Sequence, residues 1–380
     1  MASTAKHGWP MVRLGDVCAV VSGGTPKTSV AEYWDGDIPW VTPADLSKLK
    51  GLEVSVGARS ITQRGVDKSS AVLLPAGSVV LSSRAPIGYV AIAQVPVATN
   101  QGCKSFIPSP DIDARYLAHY LLSQKDVLQS LGTGATFKEL SKTRAADIRI
   151  PLPPLDEQRR IAAILDAVAE SITAVKSQLA ELSVIPFSMS NQKPQLIALS
   201  ELVDIRSSQV DPTSEPYLTM PHVAPNNLYS GSDEIVGVKS AAEDGVTSGK
   251  YAFKSGDILY SKIRPYLNKV SVAAYDGVCS ADMYALVPRD IKLTDWIVWQ
   301  LRSSRFLAYA AASSGRASIP KINRKTLGAF KVQVADPTVL ERFNREQTTK
   351  KSLADSMRRK LNLFQELQES LSTRAFQGEL

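Results

Sequence analysis

The chain has 380 residues, 44% hydrophobic and 21% charged, which excludes a disordered, collagenous or disulfide-stapled protein and allows two to three domains. No run reaches the ~18 apolar residues that span a bilayer. Met1–Trp9 carry no apolar signal core, and Cys18, Cys103 and Cys279 stand far apart in odd number, so the expectation is a cytoplasmic protein without membrane contact. Forty-four Lys and Arg against 37 Asp and Glu leave +7, which permits an anionic partner such as nucleic acid.

In chain order, the features occur twice, about 180 residues apart. Val12–Val17 parallels Ile197–Val203 near the start of each half. Pro75–Pro86 then reads as a turn, a short buried strand and a polar loop, and Lys254–Pro265 has the same layout of Gly, apolar run, Ser, basic residue and Pro. Helical stretches follow at Tyr116–Leu122 and Trp296–Leu301. Two Gly-containing basic segments come next, Gly132–Lys138 and Ser314–Lys321, and each leads into an extended apolar stretch, Ile148–Leu152 and Phe330–Val334. A period this long is not a solenoid unit. It predicts two similar globular domains, each mixed α/β with many short strands.

A long helix is predicted to close each half. Pro151-Leu152-Pro153-Pro154 sets up a helix start, with Asp156 and Glu157 in the first turn where the helix dipole favours carboxylates. Ile161, Leu165, Val168, Ile172, Val175, Leu179 and Leu182 then recur in alternating steps of four and three, a heptad seam that Pro186 stops. About 30 residues make a rod of roughly 45 Å. Asp336-Pro337-Thr338 opens the second helix, whose seam reads Leu353, Met357, Phe364, Leu367 and Leu371, with Lys360 between. The first helix carries net −2 and the second +1, which suits a pair, although the apolar seams would carry the stability. The expected architecture is therefore α+β: two mixed α/β domains, residues 1–153 and 187–335, separated by a long antiparallel two-helix coiled coil of residues 154–186 and 336–380, with a pseudo-twofold axis.

Searches for catalytic chemistry return nothing. No Gly-x-x-x-x-Gly-Lys-Ser/Thr loop is present, and Gly132-Thr133-Gly134 lacks the third glycine of a dinucleotide fingerprint. His7, His119 and His222 are scattered, without the neighbours of a metal site or triad. Cys103 has Lys104 beside it but no evident His partner, so a small buried thiol is the simpler reading. The expectation is a binding protein with no catalytic residue, no metal ligand and no cofactor of its own.

Trp9–Val17, Ser22-Gly23-Gly24-Thr25-Pro26 and Ile38–Leu46 closely resemble the opening of the specificity subunits of type I restriction-modification systems. Pro151-Leu152-Pro153-Pro154-Leu155-Asp156-Glu157-Gln158-Arg159-Arg160-Ile161 looks like that family's central junction, and the duplicated layout extends the resemblance over the whole chain. The second half departs from it, because Asp336–Glu341 lacks the full junction pattern. The resemblance implies two target-recognition domains that each read one half of a bipartite double-stranded DNA site. It also implies two helical regions that act as spacer and as docking surfaces for two methyltransferase subunits, which restriction subunits join. S-adenosylmethionine, ATP and Mg would then belong to the partner subunits.

On that reading the loops should hold phosphates with basic and hydroxyl side chains and read bases in the grooves. Candidates in the first domain are Thr25, Lys27, Ser83, Arg84, Lys104, Thr133, Thr136 and Lys138. Those in the second are Tyr260, Lys262, Arg264, Arg316, Ser318, Lys321 and Arg324. Arg84 and Arg264 lead, because a guanidinium can bond guanine bidentately. Trp40, beside Pro39 and Pro43, reads as core. Three alternatives stand beside this one: a standalone sequence-specific DNA-binding protein on the same scaffold, a DNA methyltransferase with an unrecognised cofactor loop, and a purely structural coiled-coil scaffold.

Overall fold

A computed structural model describes residues 8–134, 138–184, 187, 195–313 and 319–380. The chain divides into two compact units: Met1–Ala180 with Ser356–Leu380, and Glu181–Asp355. Both mix strands and helices.

In the first unit, strand Met11–Arg13 pairs antiparallel with Arg149–Pro151. This two-stranded clasp joins the unit's start to its end and delivers the chain into helix Leu155–Val184. The main sheet runs in the order Cys18–Ser22, Cys103–Pro108, Val79–Ser83, Ile87–Ala93, Glu53–Val54. Every residue of Val79–Ser83 is buried, as expected of a central strand covered on both faces. Helix Ala114–Ser123 covers one face, and Tyr116 donates from its hydroxyl to Pro151 O at 2.8 Å. A smaller sheet, Arg59–Ile61, Trp34–Val41 and Ala98–Thr99, has its own apolar cluster. There Trp40 packs edge-on to Trp34 at 5.1 Å and its indole N–H donates to Gly24 O.

The second unit repeats this plan. Gln195–Ala198 pairs with Lys331–Val334 as the clasp, and the sheet order is Val203–Ile205, Met283–Pro288, Ile258–Ser261, Val270–Val272. Helix Thr294–Leu301 takes the place of Ala114–Ser123, with Trp296 Nε1 donating to Gln333 O at 2.6 Å where Tyr116 served before. The apolar cores of the two units differ. In the second, Trp296, Trp299, Phe187 and Phe343 form an aromatic cluster with ring centroids 4.9–6.1 Å apart.

The backbone hydrogen bonds give the repeat its register. Leu14 N donates to Ile148 O at 2.8 Å, and Leu199 N to Phe330 O at 2.9 Å. Ser83 N donates to Gly102 O, and Lys262 N to Asp282 O; Leu140 N donates to Ser83 O, and Ile322 N to Lys262 O, both at 2.9 Å. Strand pairing agrees: Ser82 sits opposite Cys103 and Ser261 opposite Met283.

The first long helix starts where the proline run predicts. Gln158 locks that start: fully buried, it donates to Asp111 O and Pro153 O and accepts from Asp113 N. Its seam residues Ile161, Leu165, Val168, Ile172 and Val175 are buried, while Leu179 and Leu182 are half-buried. Pro186 lies outside the described residues. The second long helix, Pro337–Gln377, corrects the expected seam. Leu353 and Leu367 are 44% and 42% exposed, and Lys360 is exposed. The covered stripe is Ala354, Met357, Leu361, Phe364, Gln368, Leu371 and Ala375, again in steps of three and four. The reason lies at the helix end. Leu371, Ala375 and Phe376 join the core that holds Ile161, Ala162 and Leu165, and Phe376 inserts edge-on between Tyr116 and Tyr120 at 5.3 and 5.1 Å. Burying such a ring is worth about 2–3 kcal/mol, so this anchor sets the phase and hydrophobicity alone misassigns two positions. Arg160 Nη2 donates to Leu380 O at 2.9 Å, so within this unit the start of one helix meets the end of the other, an antiparallel arrangement.

Candidate nucleic-acid interface

The loop after strand Val79–Ser83 is held from three sides. Ser82 Oγ donates to Pro86 O and accepts from Gly88 N and Tyr89 N. Arg84 bridges to Glu139, and Thr133 exchanges two backbone bonds with Glu139. Residue 85 turns the chain with φ +53°, a left-handed conformation uncommon for a residue with a Cβ. Ser141 then caps helix Lys142–Asp147 by accepting from Arg144 N.

Around this frame the side chains form one electrostatic cluster. The Lys104 side chain is only 6% exposed; its ammonium lies 3.3 Å from Glu139 Oε1, 3.4 Å from Ser83 Oγ and 3.5 Å from Gln101 O. Such a buried cation needs a partner, and Glu139 supplies it. Arg84, 36% exposed, places Nη1 3.8 Å from Glu139 Oε2. This is attraction without a tight bond, and it leaves the guanidinium's donors available. Thr25 donates to Gln101 Oε1. Burial pushes the neighbouring Cys103 thiol up to about 12 despite Lys104 beside it, so at neutral pH it is an inert, packed sulfur.

The second unit builds the same backbone frame and fills it differently. Ile263 bridges to Lys321, and Arg264 takes the left-handed conformation at φ +48°. Matching the hydrogen bonds puts Ile263 where Arg84 stands, Arg264 where Ala85 stands, Tyr284 in place of Lys104, and Lys321 in place of Glu139. The gap-free match of Pro75–Pro86 to Lys254–Pro265 gives the same pairing, so the two leading arginines stand one position apart in the frame. Lys321 Nζ lies 3.2 Å from Asp282. The Arg324 guanidinium sits 5.7 Å from the Tyr284 ring and 5.9 Å from that of Tyr251, and Lys262 Nζ lies 5.5 Å from the Tyr284 ring. These are cation–π distances. Asn323 caps the following helix by accepting from Thr326 N. A cavity of about 300 Å³ opens beside the loop, lined among others by Asn226, Ser261, Ile263, Arg264 and Lys269.

Three expected contacts are corrected. Ser83 and Lys104 are buried, and Tyr260 is 2% exposed, packed on Phe306 at 5.7 Å. Burial raises the Tyr260 hydroxyl's pKa, and that oxygen has no hydrogen-bond partner among the described residues. Central strands covered on both faces put these side chains inside, so Ser83 and Lys104 support the loop and Tyr260 belongs to the core. Thr25, Arg84 and Lys262 are half-exposed; Lys27, Thr133, Lys138, Arg264, Lys321 and Arg324 are exposed. Thr136, Arg316 and Ser318 lie outside the described residues. Sequence reasoning missed Glu139, Gln101, Asp282 and Tyr284. A signal for Glu139 existed: an apolar residue and a capping residue follow both Glu139 and Lys321, as Leu140-Ser141 and Ile322-Asn323.

Residues 6–183 match the model of the type I restriction modification DNA specificity domain. The first part of the chain is therefore similar to type I restriction modification DNA specificity domains. Over 173 residues it is 40% identical to the specificity subunit of the type I restriction enzyme MjaIX of Methanocaldococcus jannaschii, a match covering 45% of this chain and 40% of that protein. The chain thus spans well under two thirds of that relative. A match to the EcoDI specificity subunit of Escherichia coli, at 27% identity, covers 98% of this chain and 88% of the relative. Two solved structures share the fold along the chain. One, from work on complex assembly and conformational transition of the type I R-M system, has a TM-score of 0.58 at 19% identity and covers both chains fully. The other, the S subunit from M. genitalium, has a TM-score of 0.57 at 15% identity and covers 98% of this chain and 99% of that one.

Proposed function

We propose that this chain is the non-catalytic DNA-recognition subunit of a type I restriction-modification complex, and that each unit reads one half of a bipartite site. The observation that carries this reading is a repeated backbone frame, the same hydrogen bonds in both units, presenting different side chains at matched loop positions. A reader of two unlike half-sites needs that combination: one scaffold for docking on duplex DNA and two sets of side chains for base edges.

The two long helices would set the distance between the half-sites and dock two methyltransferase subunits, with restriction subunits joining that core. S-adenosylmethionine, ATP and Mg would act in those partners. The assembly would work in the cytoplasm; among the described residues, no helix is long and apolar enough to cross a membrane. The test is to co-express the chain with its methyltransferase subunit and map methylated adenines in the host genome. The expected result is a single motif of two short sequences and a fixed gap. A continuous motif, or methylation independent of this chain, would refute the reading.

A further inference from the structure

Glu139 stands where the two units differ most in charge. The backbone shape of the loop does not depend on its carboxylate. The hydrogen bonds that shape the loop run through the backbone of Thr133, Glu139 and Leu140, and the second unit makes the matching bond from Ile322 to Lys262 with Lys321 in Glu139's place. An acid and a base at one structural position mark a place where side-chain chemistry is free to serve recognition.

The carboxylate faces two cations of unequal freedom. Lys104 is buried against it at 3.3 Å, while Arg84 stands 3.8 Å away and over a third exposed. Arg84 can leave this partner; Lys104 cannot without an uncompensated buried charge. A phosphate would bring a second anion close to the Glu139 carboxylate, which disfavours that contact. A guanine edge offers two acceptors without a net charge, so Arg84 can bond it while remaining near Glu139.

Resting on the DNA-reading role proposed above, we infer that Glu139 is a specificity-determining residue of the first unit. It restrains Arg84 from binding phosphates indiscriminately and holds it for base-edge reading. Glu139 acts through Arg84 and is a positioning residue.

The experiment measures binding of the assembled complex to a duplex carrying the mapped site, and to duplexes with either half scrambled, across a salt series. For Glu139→Gln, binding to the duplex with one half scrambled should tighten about three- to tenfold, and discrimination at that half should fall about tenfold. The dependence of log affinity on log salt should steepen by about one for one added phosphate contact. Discrimination at the other half should be unchanged, and Glu139→Asp should restore most of the loss. Unchanged discrimination and slope, or equal loss at both halves, would overturn the inference. Should Glu139→Gln fail to fold because Lys104 is left unpaired, the double variant Lys104→Met/Glu139→Gln removes both charges and should show the same loss. Failure of both to fold would make Glu139 a structural residue and also overturn the inference. Wild-type complex that ignores scrambling of either half would instead refute the DNA-reading role itself.

Discussion

The two units solve one folding problem with different residues, and the differences fall into two classes. In the core, Tyr116 and Trp296 occupy matched helices and both donate to the clasp strand, at Pro151 O and Gln333 O. The polar tip keeps its job while the apolar body changes size, and the second unit surrounds the larger indole with Trp299, Phe187 and Phe343. In the loops and the strand position beneath them the substitutions do not conserve a job. Arg84 becomes Ile263, Lys104 becomes Tyr284, and Glu139 becomes Lys321, while the backbone bonds persist. Core replacements keep volume filled and hydrogen bonds made, because voids and unpaired groups are costly. These replacements change sign and shape; the backbone bonds keep the loop's form, and the buried Lys104 changes together with its partner Glu139.

The largest expected effect tests the core half of this comparison. Trp296→Ala removes the centre of the second unit's aromatic cluster and should cost about 3–5 kcal/mol. Hydrogen exchange should show lost protection across residues 195–335, with the first unit's central strand still protected. Uniform loss in both units would show that they do not unfold separately.

The loop half predicts a smaller, selective effect. Arg84→Ala should weaken reading of one half-site by about 1–3 kcal/mol and leave the other intact. Arg264→Ala should affect only the opposite half. Arg264 occupies the frame position of Ala85 rather than that of Arg84, so the two losses should differ in which base pair of the half-site becomes tolerant. Competition binding with single-base-pair substitutions reads this directly; equal loss for both halves from either variant would break the modular picture.

The smallest effect concerns pH. Burial works against charge on Asp166, yet His119 at 2.8 Å and Arg115 at 3.1 Å hold its carboxyl below the usual range. A carboxyl whose pKa is lowered by folding adds stability above its unfolded value, near ~4, and loses that contribution as pH falls through its folded value. Asp166→Asn should therefore flatten the acid limb of the first unit's stability, measured by thermal unfolding between neutral and acidic pH, with little change in the second unit. An unaltered acid limb would show that the contact contributes nothing to the pH dependence.

Much of the architecture was legible in the residues. Proline runs, heptad steps and a paired order of turn, strand and loop need only local chemistry and counting, so the duplication and both long helices could be read without coordinates. The core placement of Trp40 could be read as well. Helix phase could not. A 3.5-residue period admits Leu353 or Ala354, and Leu367 or Gln368; the docking of Phe376 between Tyr116 and Tyr120 chose between them. The expected contacts Ser83, Lys104 and Tyr260 lie inside because other elements cover both faces of the sheet. What the chain determined alone was periodicity and punctuation, which are local. Which side chain faces solvent, and which charges meet at Glu139, depends on segments distant in sequence coming together, and only the folded structure decides that.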